Sequence, residues 1–457
     1  GKGGTTSAPY SSGQYNVAMG YQAFDAFTTA EYNTVIGNNA GSAVTTGDQN
    51  VLLGAGAGFS LTTGQYNTIV GVDAANIHTD VNNIVAVGWQ ASRYIEADGT
   101  IAIGHQAMKV HTTGVRNIAI GYNAMSDTDA GSTSAGSSDN TFIGYNVAAG
   151  TWTNAGTNGN VGIGSYVMDA ACDGALYNTA VGAYALSAIT QADNVVAIGN
   201  SAAYTLTTAS NTVAIGTNAL KVHTTGERNI AIGTNAMDDT DAGSTSLSSA
   251  DNVFIGHDAG GGTWADAQSK ENVAIGNYAM DGALDGAIRN VAIGHGALST
   301  ATGADYNQAI GYRALFNAST GGQNTVIGHE VGLALTSGGQ NVAIGYHAGY
   351  HNQTGVYNVH IGVQAGYGAA SNSANTNTFV GYKAGYDVSS GYSNVAIGGG
   401  ALENVTTGYD NVVVGNYAGS TLTTTNFVTL VGRMAGASIN ATGANGTVAM
   451  GYQAANA

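Results

Sequence analysis

The chain has 457 residues, a formal net charge of -17, 9% charged residues, 70 glycines and a single proline. Nucleic-acid affinity rests on clustered Lys and Arg, so this charge balance argues against a phosphate-binding surface; collagen is excluded because glycine does not fall at every third residue. The scarcity of charge combined with the abundance of glycine fits neither a disordered chain nor an ordinary enzyme.

In chain order, residues 1-12 read as a lead-in or attachment segment, rich in Gly, Ser and Thr and holding the only proline, Pro9. From 13 to 457 one unit recurs, exemplified by Asn341-Val342-Ala343-Ile344-Gly345, with its closing glycine at 20, 37, 54, 71 and 88 and onward to 415, 432 and 451. There are about 25 copies at a ~17-residue period, and repetition at so short a period marks a solenoid. Each copy is expected to be one coil carrying a short strand, giving an all-β parallel β-solenoid; at ~4.8 Å between strands the array would be a rod of roughly 120 Å. Elements such as Val44-Thr45-Thr46-Gly47 and Leu61-Thr62-Thr63-Gly64 are turns.

The period lengthens near 104-182 and again near 216-294, and the extra residues must leave as surface loops. These blocks are duplicates at an offset of 112 residues: Lys109-Val110-His111 recurs as Lys221-Val222-His223, and Gly150-Thr151-Trp152 as Gly262-Thr263-Trp264.

Within the unit, the residue before the glycine is always aliphatic (Ile36, Leu53, Ile344) and the residue two places earlier is mostly β-branched (Thr34, Val291, Val395). Side chains alternate along a strand, so these two share one face, which is read as the dry core. The residue between them (Ala18, Phe142, Ala343, Phe379) is also apolar, and a strand apolar on both faces is buried on both. That second face therefore predicts lateral association of chains. The opening asparagine (Asn33, Asn117, Asn358) is expected to stack on its counterpart one coil away in an amide ladder.

The Asn-Val-Ala-Ile-Gly-x-x-Ala unit and the Thr-Thr-Gly turns resemble the repeat arrays of phage tail fibres, which are related to the head repeats of YadA-like trimeric autotransporter adhesins. The resemblance covers about nine tenths of the chain. It implies a left-handed parallel β-roll assembled as a homotrimeric fibre, located on a virion tail or a cell surface. The adhesin repeat is usually shorter than 17 residues, which favours the phage-type fibre over an adhesin head.

Candidate sites concentrate where the period breaks. Asp127-x-Asp129-x-Gly131 and Asp239-x-Asp241-x-Gly243, with Asp139 and Asp251 at the far ends of their loops, offer oxygens compatible with calcium, against a plain reading as solvated acidic turns. No other cofactor is expected. Trp152 and Trp264, flanked by Gly and Thr, suit either exposed stacking on a sugar ring or cover for their own loop's small core.

Trp89, Tyr122 and Tyr145 head an aromatic column immediately after the glycine. It suits stacking between coils or contact with a glycan, and stacking ranks first because the same column accepts Asn38, Ala55 and Val72. His360 replaces the usual apolar residue at a strand centre, where three copies converging on a trimer axis would hold an ion; a hydrogen-bonded histidine is the plainer reading. His347 and His351 lie across a turn, and no Ser-His-Asp or Cys-His arrangement stands out from the many Ser and Asp residues.

The expectation is a non-enzymatic structural and adhesive fibre, a phage tail-fibre shaft or receptor-presenting segment. Its partners would be further copies of itself and a host-surface glycan or protein, with no nucleic acid and no membrane insertion. The alternatives are the head of a bacterial trimeric surface adhesin or extracellular filament, and, ranked lower, an ice-binding solenoid using its Thr-Thr columns.

Overall fold

Each copy of the repeat supplies one three-residue strand, from Val17–Met19 to Val448–Met450, and within each of two units successive strands pair in parallel. The chain is a parallel β-solenoid, seen in a computed structural model that describes residues 12-128, 136-152, 155-240, 248-264, 267-370, 372-439 and 444-456. It divides into two units, Gly1–Arg228 and Asn229–Ala457. The first carries the strands through Val213–Ile215 and the second those from Ile230–Ile232. Among the described residues no helix is long and apolar enough to cross a membrane.

Register survives the long coils. Ala119 pairs with Phe142 although 23 residues separate them, and Ala231 with Phe254 likewise, so the added residues do not disturb the strand register. The strands are short, but hydrogen bonding continues through the turns. Val51 N–H donates to Asn67 O in the next coil at 2.8 Å, whereas Gly54 N–H donates to Ile36 O in the preceding coil at 2.8 Å. Backbone groups throughout the coil thus find partners one repeat away, as buried peptide groups must.

The asparagine column forms the expected ladder. Asn50 Nδ2 donates to Asn33 Oδ1 (3.1 Å) and to Gly64 O (2.9 Å), while its own Oδ1 accepts the Asn67 backbone N–H at 3.0 Å. Each buried amide therefore ties three coils together. In the second unit the ladder runs unbroken from Asn229 to Asn411. Where an aliphatic residue interrupts it, as at Ile84, the backbone N–H still caps the preceding Asn67 Oδ1 at 3.1 Å.

The closing glycine is required twice over. Gly345 has φ +129°, and a Cβ there would lie 2.7 Å from the carbonyl carbon and oxygen of Gly362, its counterpart in the next coil. Any side chain would push adjacent coils apart.

The strand faces are the reverse of the sequence expectation. The central residues, among them Val35, Leu52, Phe142, Ala231, Ala343 and Phe379, point into the chain's own core and are buried. The flanking Val342 and Ile344 are only partly buried, and Ile198 and Ile397 remain 39% and 41% exposed. The reason is packing volume inside the coil. The central side chain faces the residue six positions later, and the two share one space: large Leu52, Phe254, Phe379 and Leu430 face Gly58, Gly260, Gly385 and Gly436. Small Ala119, Ala180, Ala309 and Ala396 instead precede buried Met125, Leu186, Leu315 and Leu402 by the same interval. In these coils one large and one small side chain share the space, as a close-packed interior demands. The apolar face left outside is the Val/Ile one.

Candidate functional site

The two tryptophans of the duplicated blocks lie on the core. Trp152 and Trp264 are 1% and 0% exposed. Their backbone N–H groups donate to Asp127 O (3.2 Å) and Asp239 O (2.9 Å), and each indole packs on the phenylalanine of its coil, Phe142 at 6.2 Å and Phe254 at 5.6 Å. Trp264 Nε1 also donates to Gly260 O at 3.1 Å. The reading of these tryptophans as exposed receptor contacts is therefore corrected: each covers the space opened where its coil widens, since burying an indole outweighs displaying it.

The acidic set does not gather into a calcium site among the described residues. Asp127 Oδ2 and Asp239 Oδ2 accept the hydroxyls of Thr151 and Thr263, both at 2.6 Å, pinning the loop beside its tryptophan. Asp139 forms a two-pronged ion pair with Arg116, at 2.6 and 2.8 Å, which holds its carboxyl below the usual carboxylate range. A guanidinium thus takes the carboxylate that a cation would need. Asp251 is exposed and belongs to no group of ligand atoms close enough to share an ion, and Asp129 and Asp241 lie outside the described residues.

His360 faces the chain's own core, 2% exposed, its ring stacked 5.4 Å from that of Phe379. A trimer-axis ion at His360 is excluded by this inversion of the strand faces. Burial pushes its pKa down to about 4, so the imidazole is neutral near pH 7, and its Nε2 has no hydrogen-bond partner among the described residues.

The aromatic column combines both readings of its geometry. In the first unit Trp89, His105, Tyr122 and Tyr145 follow one another with ring centroids 4.7, 4.6 and 5.4 Å apart, and the run of rings continues through Tyr166 to Tyr184, which stand one place further from their glycines. In the second, His257, Tyr278, His295, Tyr312, His329 and Tyr346 do the same at 4.9 to 5.5 Å. The rings support one another from coil to coil, yet Trp89 and Tyr122 keep 43% and 44% of their surface in solvent. Each track is a rigid apolar surface with polar edges, chemically suited to sugar rings or a protein partner.

Several further residues acquire roles that the sequence did not suggest. His111 and His223, paired by the 112-residue duplication, are buried and reach Gly114 O and Gly226 O at 3.0 and 2.7 Å. The first threonine of the Thr-Thr turns uses its hydroxyl within the stack, as where Thr45 Oγ1 donates to Thr62 O at 3.2 Å. Glu330 lies one coil before His347 and contacts it, a pairing visible in the sequence only as a 17-residue spacing.

No protein-family model matches the chain, and no curated protein matches it either.

Proposed function

We propose that this chain is a non-enzymatic structural and adhesive fibre segment, a phage tail-fibre shaft or receptor-presenting segment that acts outside the cell as a homotrimer. The observation that carries the reading is the outward Val/Ile face, as at Ile198, Ile275, Ile327 and Ile397. Its column before the glycine is aliphatic in every coil, its other column is mostly Val, Ile or Thr, and neither carries charge, so another copy of the same chain offers a matching surface. The repeat unit's likeness to tail-fibre arrays supports the same assignment, with handedness and trimeric state following from it. The aromatic tracks would then meet a host-surface glycan or protein, three chains compensating for weak single contacts by avidity.

Sedimentation of the purified chain tests the association. The expected particle has about three times the 45.6 kDa of one chain, and Ile327→Asp with Ile344→Asp should release monomer. A folded monomer in the unsubstituted protein at micromolar concentration would overturn the proposal.

A further inference from the structure

We propose that His329, Glu330 and His347 form a binding site for a late first-row divalent metal ion of the zinc class. The repeat itself assembles the ligands. Glu330 and His347 occupy the same place in successive coils, two residues after the closing glycine, and both have left-handed backbone, φ 51° and 56°. Their side chains therefore leave the stack in the same direction. His329 stands one residue before Glu330, in the aromatic column. One ligand atom from each of the three lies within 4.8 Å of the others.

The distances suit a small cation with imidazole ligands. His347 Nε2 lies 3.1 Å from Glu330 Oε2, and in a tetrahedral zinc site with bonds of 2.0 to 2.2 Å neighbouring ligand atoms are about 3.4 Å apart. An ion replacing the shared proton needs little rearrangement of that pair. Two imidazoles and one carboxylate select zinc and its neighbours over calcium or magnesium, which prefer an all-oxygen shell. Three protein ligands leave one coordination position for water or an outside donor.

The surroundings already hold the ligands in place. Arg313 Nη1 donates to Glu330 Oε1 at 3.2 Å, occupying that oxygen and leaving Oε2 for His347. Arg313 is itself seated over the Phe316 ring at 4.3 Å. The His347 ring stacks on Tyr346 with centroids 3.8 Å apart, and both His347 and Glu330 side chains are only 16% exposed. Outer contacts of this kind fix ligand orientation, and their loss typically weakens metal binding by about 10- to 100-fold.

The test is competition for Zn2+ between a chromophoric chelator and the full chain after metal stripping. Substitutions taken from neighbouring coils preserve the fold: His329→Tyr copies Tyr312 and Tyr346, and His347→Gln copies Gln364. The unsubstituted chain should take up one Zn2+ that excess Ca2+ or Mg2+ does not displace. Each variant loses a direct ligand and should bind it at least about 10- to 100-fold more weakly while keeping its thermal midpoint. Co2+ in place of Zn2+ should give a visible ligand-field spectrum that both variants lose. The proposal is overturned if the chain takes up no Zn2+, if Ca2+ displaces it equally well, or if the variants retain the same equivalent at the same affinity.

Discussion

The ring of Phe379 fills the space that a side chain on Gly385 would take: a Cβ built there would meet Phe379 Cε2 at 2.4 Å. One coil later the roles are exchanged, with Ala396 at the strand centre and Leu402 buried at the facing position. Ala396→Phe alone should destabilise the chain by roughly 1–3 kcal/mol through overpacking. Leu402→Gly alone should cost about 2–5 kcal/mol through the cavity. Together they recreate the Phe379–Gly385 arrangement, so the double variant should be more stable than the sum of the singles by about 1–3 kcal/mol. Denaturant unfolding of the four proteins measures this coupling; strict additivity would show that the two positions do not share one space.

That exchange also explains what was legible in the sequence. The period, the short strands, the glycine turns and the asparagine ladder all follow from spacing and residue type, and are present. The strand face was not legible from alternation, because Val342, Ala343 and Ile344 are all apolar and a three-residue strand gives too few alternations to decide. The deciding signal lay six residues further on, where glycine or alanine follows a bulky strand centre and leucine or methionine usually follows alanine. The exposed-tryptophan and axis-ion readings failed for the same reason. Once the central residue points inward, His360 belongs to the core, and a widened coil needs a filler of the size of Trp152 or Trp264.

Trp264 should accordingly behave as a core residue. Trp264→Ala removes a fully buried indole from against Phe254 and leaves Gly260 O without its donor, an expected loss of about 3–5 kcal/mol. Trp89→Ala, at an exposed position, should change stability by less than about 1 kcal/mol. Thermal unfolding of the two variants separates the roles. A Trp264→Ala protein that unfolds at the original temperature but no longer adheres to its receptor surface would return this residue to the contact set.

His360 makes the second unit sensitive to acid. Its imidazole is held at about 4 by burial, against 6.5 for an unperturbed histidine, so between these values the unfolded chain binds a proton that the folded chain does not. At 1.36 kcal/mol per pH unit, folding stability should fall by roughly 3 kcal/mol as pH drops from 6.5 to 4, with little contribution from this group above 6.5. His360→Phe tests the point, because the coil already has room: Gly366 faces His360 as Gly385 faces Phe379. The variant should be at least as stable at pH 7, since it removes a buried Nε2 that lacks a hydrogen-bond partner. Its advantage should widen by up to roughly 3 kcal/mol on acidification to pH 4. His78, lowered to about 4 in the first unit, remains in the variant, so acid sensitivity there should persist. Hydrogen exchange at pH 7 and pH 4.5 on both proteins would resolve the units. Equal loss of protection around Val359–Ile361 in both proteins would show that His360 is not the group responsible.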